Sequence, residues 1–297
     1  MNKKLLLIVN PCSGRAKMRT ELLRVVEILS EGGYTVTVYP TKARGDATDY
    51  LLNLSENEYE IIVVCGGDGT LNEVITGLMK SGLHIALGYI PSGTLNEWSS
   101  GLGIARSIPK AAEDITNGKK IKLDIGKFGD KYFSYTASFG AFTDASYSAP
   151  QDIKNMLGQA AYFFEGIKSL GNIKPIHLKF KTEDRETEGD FLFGAVSNSM
   201  SVGGIVKFDE SVVKLNDGRF EILLIRNPDN ILKLQPIIDG ILKRDFDKEG
   251  IEFFTAKSVT VTGAGGLSWT LDGEYAEGTD EIVISNMHNA IELIVPQ

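Results

Sequence analysis

The chain has 297 residues, of which 42% are hydrophobic and 24% charged, and this ordinary globular composition predicts two domains of typical size. Its formal net charge of -8 argues against a general nucleic-acid-binding protein, which normally carries a basic surface. The longest apolar run, Leu5 to Val9, is far too short to cross a bilayer and no signal-peptide pattern is present, so we expect a cytoplasmic protein.

The first 120 residues alternate strand-like and helix-like segments. Such alternation predicts an α/β N-terminal domain, residues 1–124, with a doubly wound, mainly parallel sheet. The predicted segments, strand and helix in turn, are Leu5–Val9, Met18–Leu29, Thr35–Tyr39, Ala47–Leu54, Ile61–Val64, Leu71–Met79, Ile85–Ile90 and a helical stretch to about Ile115.

From about Lys122 onward the pattern changes to many short strand-like runs. It predicts a C-terminal antiparallel β-sandwich domain, residues 125–286, with Asp-Gly turns at Asp217-Gly218 and Asp272-Gly273. Residues 287–297 are a candidate for rejoining the first domain. The predicted strands are Tyr132–Ala137, Ile176–Lys181, Phe191–Val196, Phe220–Ile225, Ser258–Val261, Glu281–Ile284 and Ala290–Val295, and the predicted helices are Ala160–Leu170 and Leu232–Leu242.

The segment Gly66-Gly67-Asp68-Gly69-Thr70 follows the third predicted strand and precedes a helix. Glycines there let backbone N–H groups approach a bulky anion, and the start of a helix favours phosphate. A carboxylate beside phosphate is repulsive unless a cation lies between them, so Asp68 suggests phosphate with Mg2+. The alternative is a tight turn in which Asp68 only caps the helix.

Two more polar loops follow predicted strands. Asn10-Pro11-Cys12-Ser13-Gly14 comes after the first strand, and Pro91-Ser92-Gly93-Thr94 comes after the fourth. Because the carboxyl ends of parallel strands share one edge of a sheet, we expect the three loops to converge. Their concentration of hydroxyl, amide and carboxylate groups predicts a polyphosphate cradle.

Four motifs occur along the chain in a fixed order: NPxSG at Asn10–Gly14, GGDGT at Gly66–Thr70, PxGT at Pro91–Thr94 and DGE at Asp272–Glu274. This combination resembles the bacterial soluble diacylglycerol and lipid kinases, whose catalytic domain is related to that of the sphingosine kinases. The resemblance covers essentially the whole chain. It implies a kinase in phospholipid metabolism that uses ATP and Mg2+ to phosphorylate a lipid hydroxyl, converting diacylglycerol to phosphatidic acid.

The resemblance also assigns roles to residues that match the family's motifs. The ATP-binding residues, in or beside the loops, would be Asn10, Pro11, Cys12, Ser13, Gly14, Thr41, Gly66, Gly67, Asp68, Gly69, Thr70, Leu71, Asn72 and Thr94. The catalytic residues, all carboxylates, would be Asp68, Glu97, Asp124, Asp272 and Glu274. A structural cation site would comprise Asp217 and the backbone carbonyls of Lys214 and Arg219.

Within the catalytic set, the resemblance implies that Asp68 and Asp124 organise Mg2+ and that Asp272 is the general base, with Glu274 close enough to share the site. Two positions depart from the family's usual Asn-Asp-Phe sequence, since this chain has Glu97 and Trp98 after Asn96. Glu97 keeps the carboxylate but extends it by one methylene. We therefore expect the reaction class to be kept, and either the water-mediated geometry around Mg2+ to shift or the backbone to retreat.

The expected partners are a membrane lipid substrate and, at the periphery of the membrane, an anionic surface, but no nucleic acid. The sequence leaves both a homodimer and a monomer open as the oligomeric state. The basic residues considered for membrane contact, with a solvated face as the alternative, are Lys168, Lys174, Lys179 and Lys181. Two other functions remain open: an NAD kinase-like small-molecule kinase, and a catalytically idle lipid-binding regulatory protein. His84, His177 and His288 are isolated and are interpreted as structural.

Overall fold

A computed structural model describes residues 3–93, 96–140, 175–202, 206–207, 213–228 and 233–297. The chain divides into two compact units, one formed by Met1–Ile125 with His288–Gln297 and the other by Gly126–Met287. Each unit has its own buried apolar residues, and each is described below by itself.

The first unit alternates strands and helices along the chain. A 3-10 helix, Ser13–Ala16, follows its first strand. The remaining elements are β1 Lys3–Val9, α1 Lys17–Glu31, β2 Tyr34–Pro40, α2 Asp46–Leu52, β3 Ile61–Gly66, α3 Asp68–Ser81, β4 Ala86–Pro91, α4 Glu97–Gly101, α5 Ile108–Asn117 and β5 Lys119–Phe128, whose last three residues belong to the second unit.

The sheet of the first unit has the strand order β2-β1-β3-β4, and these neighbours are parallel. Every residue of β3 and β4 is buried, which is typical of strands covered by helices on both faces. The chain runs outward from β1 to β2 and returns to the other side of β1 as β3. The order therefore reverses between β1 and β3, where doubly wound sheets bind ligands.

The predicted helical stretch that ends near Ile115 is two helices, so that expectation was wrong in its continuity. Gly103 has a φ of +67°, a left-handed conformation that ends a helix. The second helix begins at Ile108 with Pro109 in its first turn, a position where the missing N–H of proline has no cost.

The second unit is built mainly of antiparallel strands. The pairs β7–β9, β8–β9, β9–β12, β12–β13 and β15–β16 are all antiparallel. Its elements are β6 Lys131–Phe133, β7 Thr136–Gly140, β8 Ile176–Lys181, β9 Glu186–Ser197, β10 Ser201–Val202, β11 Val206–Lys207, β12 Phe220–Arg226, α6 Leu234–Lys243, β13 Ile251–Ala256, β14 Ser258–Thr262, β15 Ser268–Leu271, β16 Glu274–Glu277 and β17 Glu281–Val295.

Strand β12 separates two apolar clusters of this unit. Ile222 and Leu224 join a cluster that also contains Trp269, whereas Leu223 and Ile225 join a cluster that includes one face of α6. Alternate residues of a strand point to opposite faces, which explains this division. The first cluster draws on strands from β5 to β17, as expected when a sheet folds over on itself in a sandwich. The predicted fold class, α/β with an antiparallel β domain, is confirmed.

Two predicted strands of the second unit have different bounds from those expected. The run Tyr132–Ala137 is interrupted at Ser134 and Tyr135, because the chain leaves its pairing with β5 and begins to pair with β9. The two runs expected near the C-terminus are one strand, β17. From His288 onward this strand belongs to the first unit, where its Leu293 pairs in parallel with Leu87 of β4.

The predicted helix Ala160–Leu170 lies outside the described residues. The helix predicted at Leu232–Leu242 is confirmed as α6. None of the helices in the described part of the chain is both long and apolar enough to span a bilayer.

Candidate active site

The three polar loops of the first unit meet at the carboxyl edge of its sheet. The backbone N–H of Asn10 donates to the carbonyl of Cys65 at 2.9 Å, and the N–H of Ser92 donates to the carbonyl of Gly66 at 2.9 Å. These bonds tie the loop after β1 to the end of β3, and the loop after β4 to the same point. The expected convergence is confirmed.

Side chains connect the same loops. The Asn10 amide donates to the Thr70 hydroxyl at 2.9 Å, and the hydroxyls of Ser13 and Ser92 lie 2.6 Å apart. The carboxamide oxygen of Asn10 also accepts the N–H of Cys12 at 2.9 Å, which shapes the first loop. Polar groups that could each have belonged to an isolated turn therefore form one network.

Glycines allow the loops to approach at backbone distance. A Cβ on Gly93 would lie 2.6 Å from the Cα of Gly67, and a Cβ on Gly14 would lie 1.8 Å from the carbonyl oxygen of Ser92. Gly14 also has a φ of +56°, a backbone conformation that residues other than glycine rarely adopt. No larger residue fits at these positions without separating the loops.

Asp68 is the first residue of α3, and Gly67 is its N-cap, with no side-chain capping bond. Asp68 therefore does not fill the capping position, although its charge at the start of the helix is favourable. Tyr89, fully buried on β4, lies against it. Burial and then the charge of Asp68 raise the pKa of the Tyr89 hydroxyl above its usual value.

The other residues predicted to bind ATP occupy different environments. The N–H of Thr41 donates to the carbonyl of Val9 at 2.8 Å, which holds the loop after β2 beside β1. In the first turns of α3, Gly69 is exposed and Leu71 is buried in the core, so Leu71 contributes by packing. Asn72 is partly buried.

Two of the predicted site residues fall wholly or partly outside the described part of the chain, and three cysteine or proline positions near the loops differ in burial. Thr94 lies outside the described residues. Glu97 is the first residue of α4, and its side chain also falls outside the described part of the chain. Pro11 is partly buried, and Cys12 is exposed. Cys65, at the end of β3, is buried, and this burial raises the pKa of its thiol to about 12.

Asp124 lies on β5 and is almost completely buried. Its Oδ1 accepts the backbone N–H of Asn289 at 2.7 Å, and Nδ1 of His288 lies 3.1 Å from the same oxygen. The carboxylate is thus held by two residues at the C-terminal end of the chain. Sequence patterns gave no sign of this contact, because the partners are separated by 164 residues.

Asp272 and Gly273 form the two-residue turn between β15 and β16, with φ values of +50° and +87°. These values are those of the tight hairpin that Asp-Gly predicts. The Asp272 carboxylate accepts the backbone N–H groups of Ser134, Tyr135 and Thr136. It therefore stabilises the interruption between β6 and β7, a function that the sequence did not indicate. Glu274 is exposed on β16.

Asp217 lies in a turn before β12 and is exposed. Its carboxylate accepts the N–H of Arg219 at 3.0 Å, and the Arg219 carbonyl accepts the side-chain amide of Asn286 at 3.2 Å. Lys214 is exposed in the same segment. These hydrogen bonds explain the turn without a metal, and the structural cation site stays a prediction.

The donor chemistry of the first unit suits Mg2+. Within the described residues, no three His, Cys, Asp or Glu side chains form a group that could hold a metal ion. However, Mg2+ is usually bound by one or two carboxylates together with substrate phosphates and water. Asp68 and Asp124 are two carboxylates of this unit, and the absence of side chains at Gly14, Gly67 and Gly93 leaves the backbone of the loops accessible to one another.

Sequence reasoning placed Ser92 in a predicted phosphate-binding loop but assigned no individual role to Ser92, Asn96 or Tyr89. The Asn96 side chain accepts the N–H of Gly93 at 3.0 Å and donates to its carbonyl at 2.8 Å. The hydroxyl of Tyr89 lies 3.3 Å from the carboxamide oxygen of Asn96. Ser92 is the variable position of the PxGT motif and Asn96 follows that motif by two residues, so both could have been found there, whereas Tyr89 lies within an apolar strand.

Residues 4–128 match the family model of the diacylglycerol kinase catalytic domain. A protein from Bacillus subtilis strain 168 named diacylglycerol kinase is 31% identical over 298 residues, which cover 99% of this chain and 97% of that protein. A Staphylococcus epidermidis protein of the same name is 30% identical, with 100% and 93% covered. The crystal structure of a candidate diacylglycerol kinase from Bacillus anthracis strain Sterne superposes with a TM-score of 0.81 at 27% identity, covering 99% of this chain and 95% of that chain.

We expect Gly93→Ala to weaken ATP binding by about tenfold or more, a loss of roughly 1.4 kcal/mol. The added methyl group would collide with Gly67 and with the Asn96 side chain, so the loops must separate. Calorimetric titration with ATP measures the change. Gly82→Ala is the control for general destabilisation, because alanine strains the backbone there at a φ of +71° but meets no neighbouring atom, at the opposite end of α3. Equal ATP affinity in Gly93→Ala and the wild type would contradict the cradle.

We expect Asp272→Asn to lower the free energy of unfolding by about 1–3 kcal/mol. Asparagine tolerates the left-handed turn, but its NH2 group would face a backbone N–H that the carboxylate now accepts. Urea unfolding measures the change, and Glu274→Gln, at an exposed position of the same hairpin, should leave stability unaltered. An Asp272→Asn variant as stable as the wild type would show that this clamp is dispensable.

Proposed function

The chain belongs to the diacylglycerol kinase family, and from this premise we propose that it phosphorylates the hydroxyl of diacylglycerol to form phosphatidic acid in phospholipid metabolism. Family membership makes the protein an ATP-dependent lipid kinase. The identity of the lipid is the part that we propose. It is supported by the names of the Bacillus and Staphylococcus relatives, which are similar over nearly their whole length.

The convergence of three glycine-bearing loops at the switch point of the sheet is the observation that carries the kinase reaction. Phosphoryl transfer requires mainly that the reacting oxygens be positioned and that the charge on the phosphates be neutralised. Backbone N–H groups at the start of α3 can supply part of that neutralisation. The Asn10–Thr70 and Ser13–Ser92 bonds hold the loops in place before ATP arrives.

We propose that Asp68 and Asp124 hold Mg2+, directly or through water, and that Glu97 contributes a third carboxylate. When bound, Mg2+ would offset the negative charge of the transferred phosphoryl group. Asp68 is suited to this task because it stands at the loop end of α3 instead of serving as the N-cap. Asp124 is suited because the backbone N–H of Asn289 and the imidazole of His288 both contact one oxygen of its carboxylate and restrict its orientation.

Proton acceptance from the lipid hydroxyl is assigned to Asp272 in this proposal, with Glu274 as the second candidate. A positioned general base typically accelerates such a reaction about 10²–10⁴-fold. Asp272 has a second function as a clamp of three backbone N–H groups, so loss of activity in its variants has two causes. Comparing turnover with unfolding in the same variant separates them.

We also propose that the enzyme works at the periphery of an anionic membrane, where its lipid substrate resides. Basic residues near such a surface each contribute about 1 kcal/mol. Of the lysines considered, Lys168 and Lys174 lie outside the described residues, and Lys179 forms an ion pair with Glu186 at 2.7 Å. Lys181 is exposed on β8, so it is the described member best placed for this contact.

The lipid assignment is tested by supplying radiolabelled ATP and Mg2+ with a panel of acceptors. Mixed micelles would contain diacylglycerol, monoacylglycerol, ceramide or a sphingoid base, and a separate reaction would contain NAD. We expect label to appear in the product of diacylglycerol, at a rate well above that of every other acceptor. Preferential labelling of another lipid would identify that lipid as the substrate in place of diacylglycerol. Labelling of NAD alone would favour the small-molecule kinase.

We expect Asp68→Asn to lower turnover by at least about a hundredfold, on the scale of a lost electrostatic contribution to the transition state. Its stability should change by no more than about 1 kcal/mol, the usual value of a charge at the start of a helix. Single-turnover kinetics and thermal unfolding provide the two measurements. The matched control is Asp49→Asn, an exposed acidic residue in the first turn of α2. Turnover near that of the wild type with reduced stability would leave Asp68 only a structural role.

A further inference from the structure

His288 and Asn289 form a short hydrogen-bonded chain that ends on Asp124. Nδ1 of His288 lies 3.1 Å from Oδ1 of Asp124, and the side-chain nitrogen of Asn289 lies 2.7 Å from Nε2 of the same imidazole. The backbone N–H of Asn289 donates to Asp124 Oδ1 at 2.7 Å. The His288 side chain is 53% exposed, whereas that of Asp124 is fully buried.

The donor and acceptor properties of these groups determine the direction of each hydrogen bond. The Asn289 amide nitrogen is a donor, so Nε2 of His288 must accept its hydrogen. The proton of the neutral imidazole then resides on Nδ1, from which it is donated to Asp124. Both donors bind one oxygen, Oδ1, and together they fix the plane of the carboxylate. Such partners typically orient a carboxylate that ligates a metal.

The backbone of Asn289 is shaped to make this contact. Its φ of +51° is a left-handed conformation inside β17, which otherwise continues as extended strand. Asparagine is one of the few residues with a side chain that tolerates this region. The local turn presents both the backbone N–H and the side-chain amide of one residue to the Asp124–His288 pair. The left-handed backbone of Asn289 therefore favours a specific role for the Asp124–His288 contact over a chance contact of an exposed histidine.

We propose that His288 is a positioning residue of the phosphoryl-transfer site, acting through Asp124 on the bound Mg2+–nucleotide. The inference rests on the proposed function only in taking Asp124 as a residue that organises Mg2+. His288 itself touches neither the metal nor the substrate in this proposal. It supplies an N–H donor that holds the Asp124 carboxylate in one orientation, so that the oxygen facing the metal stays in one place.

Divalent-metal binding without lipid tests the proposal. Mn2+ replaces Mg2+ as a spectroscopic probe, and electron paramagnetic resonance follows its binding to the protein in the presence of ATP. We expect His288→Ala to weaken Mn2+ binding about 10- to 100-fold, the usual effect of removing a group that orients a metal ligand. The Mg2+ concentration needed for half-maximal turnover should rise by the same factor.

Two variants sharpen the test. His288→Asn keeps a side-chain N–H at the position of Nδ1, so it should restore most of the metal affinity. His177→Ala is the matched control, because His177 is 65% exposed and its Nδ1 lies 2.8 Å from Asp190 on the surface of β8 and β9. It removes a histidine–carboxylate contact of the same kind and should leave Mn2+ binding unchanged.

The outcomes separate this inference from the lipid kinase proposal. Unchanged Mn2+ binding in His288→Ala would overturn the positioning role, even if the thermal stability of that variant fell. An equal loss of Mn2+ affinity in His177→Ala would overturn it as well. If His288→Ala did not fold, failure of His288→Asn to bind Mn2+ like the wild type would count against it in the same way. A wild-type protein that binds Mn2+ with ATP but phosphorylates no lipid would refute the substrate and leave the role of His288 standing.

Discussion

The backbone contact between Gly67 and Gly93 is the constraint on which the candidate site depends. Because neither residue has a side chain, the loops after β3 and β4 meet closely enough for Ser92 to bond with Ser13 of the loop after β1. Parallel strand order makes this meeting possible, since β1, β3 and β4 end at the same edge of the sheet. Three local turns thereby become one polar surface, to which we assign phosphate binding in the proposed function.

Buried charge imposes a comparable constraint on the second unit. The Asp272 carboxylate is buried, and a buried ion must be matched by hydrogen bonds. It meets this requirement by accepting three backbone N–H groups where the chain passes from β6 to β7. Asp272 therefore has three roles: it forms a tight turn, it accepts backbone N–H groups where two strands are interrupted, and in our proposal it accepts a proton from the substrate.

Asp124 shows how the end of the chain contributes to the first unit. Its neighbours His288 and Asn289 lie on β17, and Leu293 of the same strand pairs with β4. Pairing with β4 fixes the strand, and the left-handed turn at Asn289 then directs donors toward Asp124. A carboxylate with donors on one oxygen keeps a fixed orientation, which is what a metal-organising residue needs.

The sequence by itself determined the alternating elements of the first unit, the three polar loops and the Asp-Gly hairpin, because apolar periodicity, glycine and turn residues act over a few neighbouring positions. Only the tertiary structure decided three features: the interruption at Ser134, the continuity of β17 and the placement of His288 on Asp124. Each depends on a partner that is distant along the chain, 138 residues for Ser134 and 164 for His288. Local patterns carry no information about such partners, since it is the pairing of strands that brings them together.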